Sequence, residues 1–233
     1  MKNFIFTALI VLSSALFTNG IAQNLPKVQD SLDFQRQMMI YQSAVRYSDF
    51  DVAKGALYNL ISIAPGALSL YDSLALLYFE SKRFASTALL CKDILQFSPT
   101  NSLANELSAI SYENLGLKDR ALQNYESLYL QRNDIFTLYK VAFLQYDLER
   151  YKESKTNADI ILSNKEAEEL KIFFNIENNQ QQEIPMKAAI FNLKGLIAQA
   201  DQNKDGADKF YRQALLLAPE FNLAKNNLEE LNK

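Results

Sequence analysis

The chain has 233 residues, 24 Lys+Arg against 27 Asp+Glu for a net charge of −3, one cysteine, no histidine and no tryptophan. With no excess of positive charge to neutralise a run of phosphates, a nucleic-acid partner is excluded. The lack of His removes the commonest general base and metal ligand and every Ser-His or Cys-His nucleophile pair, so neither catalysis nor a cofactor is expected.

The first residues, MKNFIFTALIVLSSALFTNGIAQ, combine Lys2, an uncharged apolar run over 4–17 and a small-residue site at Gly20-Ile21-Ala22. That is the pattern of a secretory signal peptide over 1–22, and the run is shorter than the roughly 20 residues a spanning helix needs. The expectation is an exported, periplasmic protein with no integral membrane span after signal removal, secretion or outer-membrane association being the other destinations. No Asn-x-Ser/Thr sequon occurs, which agrees with a bacterial periplasm. The lone Cys91 has no partner for an internal disulfide.

After a linker over 23–33, apolar residues recur at spacings of three and four, as in Tyr71, Leu74, Ala75 and Tyr78, then Phe84, Ala88, Cys91, Ile94 and Leu95. Six glycines and five prolines leave little room for anything but helix. Pro65 and Pro99 lie 34 residues apart, each closing a helix-like run, and Asn133 lies another 34 on. Near the end Phe191, Gly195, Ala198, Ala207, Tyr211, Ala214 and Pro219 repeat the pattern in its most regular form. Pairs of amphipathic helices at this period resemble the tetratricopeptide-repeat family, with small residues at the eighth and twentieth positions, an aromatic near the twenty-fourth and a proline at the thirty-second.

The resemblance implies an all-α solenoid of about five helix-turn-helix units, at 34–67, 68–101, 102–134, 135–167 and 188–221, with a capping helix over 222–233. No unit buries its apolar stripe alone, so stacking would build a continuous core and a concave face. Two units depart from the pattern. Tyr41 fills the small eighth position of the first, and Glu166 stands in for proline in the fourth.

Within the last unit, DQNKDG over 201–206 opens like a calcium loop, with oxygen ligands at Asp201, Asn203 and Asp205 followed by Gly206. A calcium loop needs a carboxylate at the twelfth position and an apolar residue at the eighth, where this chain has Arg212 and Asp208. The stretch is therefore read as a helix turn and N-cap.

The insertion over 168–187 does not fit the repeat. Ile172, Phe174 and Ile176 alternate with Phe173, Asn175 and Glu177, Asn178-Asn179 suits a turn, and Gln182, Ile184 and Met186 alternate back. A short β-hairpin is expected, an irregular helix extension with a polar loop being the alternative. EAEEL over 166–170 is read as a solvated carboxylate cluster, and Cys91 as a buried packing residue.

Helical phase places the second, fifth, ninth and twelfth positions of each first helix on the concave side, and the resemblance implies a peptide or protein partner bound along that face. On this chain those include Leu76, Phe79, Glu106, Ile110 and an aromatic stripe of Phe136, Tyr139, Phe143 and Tyr146. The stripe is either a partner site or core covered by the insertion. If it is a site, Phe143→Asp should weaken capture and leave the fold intact. An acidic rim of Asp72, Glu80, Glu106, Glu113 and Asp147 would favour an apolar ligand with basic flanks. The fifth position carries Met38, Asp72, Glu106, Tyr139 and Asn192, so the family's clamp for carboxylate-ended peptides is missing. The function expected is a non-enzymatic scaffold, the alternative being an envelope-assembly subunit that self-associates through the insertion and the capping helix.

Overall fold

The computed structural model describes residues 28–175 and 181–233. The signal peptide expected over 1–22, and Ile176, Glu177 and the Asn178-Asn179 turn, lie outside the described residues. Among the described residues eleven α-helices run in chain order: α1 Val28–Arg46, α2 Phe50–Ile63, α3 Leu68–Glu80, α4 Phe84–Phe97, α5 Ser102–Asn114, α6 Lys118–Arg132, α7 Ile135–Asp147, α8 Tyr151–Ser163, α9 Met186–Ala200, α10 Lys204–Leu217 and α11 Asn222–Leu231. A 3₁₀ turn, Lys165–Glu168, and two antiparallel strands, β1 Lys171–Asn175 and β2 Gln181–Pro185, stand between α8 and α9. Helix α1 begins at Val28, so residues 28–33, expected as linker, are helical.

The described residues divide into two compact units, one ending at Tyr71 and the other running from Asp72 to Lys233. In the first, α1 packs along α2, whose Ala53, Ala56, Leu57 and Leu60 are buried. In the second, each helix from α4 to α11 packs on the next, and α9 also touches α7 and α11.

Small residues carry this packing. Counted from residues 34, 68, 102, 135 and 188, the twentieth position holds Ala53, Thr87, Ala121, Ser154 and Ala207, all with 0% exposure. The two polar ones return their hydroxyls to backbone, Thr87 to the Arg83 carbonyl at 3.1 Å and Ser154 to the Ala142 carbonyl at 2.7 Å. Ala142 is itself the eighth residue of its repeat. In the last repeat the eighth residue is Gly195, where an added Cβ would lie 2.3 Å from Cε1 of Tyr211. Only glycine lets that ring lie on the helix.

The turn between paired helices has one design used five times. Ser48, Lys82, Gly116, Glu149 and Gln202 all adopt positive φ, between 56° and 73°. The next N–H, of Asp49, Arg83, Leu117, Arg150 or Asn203, then donates to the carbonyl five residues back, of Ala44, Tyr78, Tyr112, Gln145 or Ala198, at 2.8–2.9 Å. This is the Schellman closure that satisfies the last carbonyls of a helix. Asp49 and Asn203 go on to cap the following helix, accepting from Val52 N–H at 3.2 Å and Gly206 N–H at 2.9 Å. The calcium-like stretch is thus a helix stop and an N-cap.

In the hairpin Ile172 faces Ile184, and Phe174 faces Gln182. Ile172 and Ile184 are buried in one cluster with Ile135, Leu138, Tyr139 and Ala142, while Phe173 and the Lys171–Glu183 pair at 3.4 Å point outward. Phe174 rests on Phe221, with ring centroids 5.0 Å apart. Gln182 donates to the Glu220 carbonyl and accepts from Asn222 N–H at 3.3 Å, which ties the hairpin to the joint between α10 and α11.

Candidate functional site

Helix α7 starts from a firm base. Asn133 takes φ 50° and ends α6, filling the place where other repeats carry proline, and Asp134 caps α7 through Thr137 N–H at 2.8 Å. The aromatic stripe that follows is not uniform. Phe136 is 50% exposed, Tyr139 is buried, and Phe143 and Tyr146 are half-buried against the core. Three of the rings form a row, Phe136 stacked on Tyr139 at 6.2 Å and Tyr139 tilted on Phe143 at 4.6 Å. Tyr146 lies 5.7 Å from Tyr151. Burial pushes the Tyr139 hydroxyl far above the usual phenol range, and the nearby Glu113 charge adds to this. The row is therefore core at its centre and open at Phe136. A charge at Phe143 would strike packing, so Phe143→Asp does not isolate binding from stability.

The remaining expected residues divide in the same way. Leu76 is buried, Phe79 sits edge-on to Phe84 at 5.9 Å, and Ile110 is half-buried beside the cluster of Ala109, Tyr112, Tyr125 and Leu144. Glu106 is held by Arg132, whose guanidinium donates to it at 2.7 Å and to Ser102 Oγ at 2.7 Å. Glu113 receives the Tyr125 hydroxyl at 2.9 Å and the Lys140 ammonium at 3.0 Å. Asp147 pairs with Lys118 at 2.7 Å, and Asp72 accepts from Asn101 at 2.9 Å. Four of the five carboxylates in the expected acidic rim are thus engaged within the chain, three by cations and Asp72 by an amide.

Cys91 is fully buried, and desolvation first, then the Asp72 charge, pushes its thiol up to about 12. It packs where the third and last repeats place Tyr125 and Tyr211. In the acidic EAEEL segment Glu168 pairs with Lys187 at 2.9 Å and Ala167 is buried. Among the described residues no group of three or more His, Cys, Asp or Glu side chains is placed to hold a metal ion, and no helix is long and apolar enough to cross a membrane.

Sequence reasoning missed Lys118, Arg132 and Lys140 as partners of the rim. Each pairs across 26 to 29 residues, from one repeat to the next or from a second helix back to the first, so no local signal marks it.

No family model matches the sequence, and no curated protein is similar to it. Solved structures do resemble the fold. A tetratricopeptide-repeat protein from Parabacteroides merdae superposes with a TM-score of 0.63 at 15% identity, covering 86% of this chain and 72% of its own. YrrB, described as a tetratricopeptide-repeat protein with an unusual peptide-binding site, gives 0.65 at 11% identity over 81% of this chain and 88% of its own. MamA gives 0.61 at 14% identity over 81% and 93%. With its helix-turn-helix pairs, buried small positions and these structural neighbours, the chain is a helical-repeat solenoid with the tetratricopeptide-repeat fold.

Proposed function

We propose that the chain is a non-enzymatic protein-interaction scaffold, exported to the periplasm, that takes a peptide or protein segment on the first-helix face around α5 and α7. The observation that carries this is Phe136, a half-exposed ring at the open end of a rigid aromatic row. Such a ring offers contact area at little entropic cost, because its neighbours are already fixed. The peptide-binding site in the name of YrrB supports the reading by analogy of fold. Because Glu106, Glu113 and Asp147 are paired internally, the segment it takes is apolar and weakly charged.

The alternative, self-association through the insertion and capping helix, finds less support. The exposed residues of α11 include Lys225, Asn226, Glu229 and Glu230, and the hairpin is spent on the joint before that helix. A photo-crosslinking amino acid at Phe136 should trap a partner protein from periplasmic extract, while the same group at exposed Leu130 should not. Phe136→Asp should lower retention of that protein at least about tenfold with helical content unchanged. Equal trapping at both positions would defeat the assignment.

A further inference from the structure

The helices that open the third and fourth repeats carry their own N-caps. Asn101 accepts from Ala104 N–H at 2.9 Å at the start of α5, and Asp134 accepts from Thr137 N–H at 2.8 Å at the start of α7. Helix α11 has no such cap, because the residue before it is Phe221, a fully buried ring with no acceptor to offer. The acceptor comes from the insertion instead. Gln182 of β2 takes the Asn222 N–H at 3.3 Å, from 40 residues away, and gives its own amide N–H to the Glu220 carbonyl on the other side of Phe221. Phe174 of β1 packs on the Phe221 ring, and Ile172, Ile184, Phe221 and Ala224 share one buried cluster.

Left to itself, α11 has little to hold it. Its ten residues fall short of the roughly 12–15 at which an isolated helix becomes even marginal in water. Its buried side chain is the small Ala224, with Leu228 and Leu231 partly buried against Ala198, Ala207 and Tyr211. A two-stranded hairpin is marginal on its own as well. In a stacked repeat array each element ordinarily senses only its neighbours, yet here the last helix is fastened to a segment that lies beyond α9 and α10 in the chain.

We propose that the hairpin is a latch for the C-terminal cap: β1, β2 and α11 dock and undock as one cooperative unit, joined through Gln182 and Phe174. The insertion thereby decides whether the apolar faces of α9 and α10 under α11 are covered. Native-state hydrogen exchange of the chain tests this. The amides of the two strands and those of α11 from Lys225 to Leu231 should share one opening equilibrium with one dependence on denaturant. Gln182→Ala should speed exchange in α11 about five- to tenfold, the equivalent of the hydrogen bonds removed, and leave α5 and α6 unchanged. Coupling is reciprocal, so Leu228→Ala, which loosens α11 at its contact with Ala198, Ala207 and Tyr211, should speed exchange in β1 and β2 as well. The latch is overturned by strands and α11 that open with different denaturant dependence, by α11 amides indifferent to Gln182→Ala, by strands indifferent to Leu228→Ala, or by equal acceleration in α5 and α6, which would mark a loss of global stability.

Discussion

Gly195 and Tyr211 show how much of the packing rests on single atoms. The ring occupies the space a methyl group would fill, with Cε1 at 2.3 Å and Cδ1 at 2.5 Å from the ideal Cβ position. The ring cannot retreat, because it is fully buried and its hydroxyl donates to Gln199 at 2.8 Å. Gly195→Ala is therefore expected to destabilise the chain by about 1–3 kcal/mol through overpacking, outweighing the better helix propensity of alanine. Urea unfolding would measure it, and combining it with Tyr211→Leu should cost less than the sum of the two single changes because the clash is shared. The small twentieth-position residues follow the same logic. Their side chains are short because a second helix needs the room, and this was legible from the sequence.

The helix pair is the unit in which turn chemistry decides geometry. Four of the five positive-φ turn residues carry a Cβ, at Ser48, Lys82, Glu149 and Gln202, and only the third turn uses glycine, at Gly116. Each non-glycine residue there bears about 1 kcal/mol of local strain. Lys82→Gly is accordingly expected to stabilise by up to about 1 kcal/mol and Gly116→Ala to destabilise by about as much, a shift of a few degrees in thermal unfolding followed by circular dichroism. Sequence reading placed these turns but not their conformation, because lysine, glutamate, serine and glutamine carry no signal for a left-handed backbone. The five recurring carbonyl closures impose it.

At the scale of the whole molecule, charge joins helices within a repeat and between neighbouring repeats. Glu106–Arg132, Glu113–Lys140 and Asp147–Lys118 each join two helices of the second unit, and Asn192 accepts from Asn227 at 2.9 Å to anchor α11 on α9. A face whose carboxylates are occupied in this way exerts little field on a ligand. Binding of the protein trapped at Phe136 should therefore change less than about twofold between low and high salt, as surface plasmon resonance at several ionic strengths would show. A steep fall with salt would mean that the carboxylates face the partner and not their internal cations.

The helical character of the chain, its period and the alternating faces of the hairpin are properties of the sequence alone. They follow from local rules: apolar residues at three and four, alternation at two, and small residues at fixed places in each repeat. The state of the aromatic stripe was decided only by tertiary packing. Phe136, Tyr139, Phe143 and Tyr146 look alike along the helix, yet one is open and one is sealed, because burial depends on what α9 and the hairpin bring to the same cluster from some fifty residues away. The neutralisation of the acidic rim is of the same kind, since a pair formed 27 residues apart exists only once the repeats have stacked.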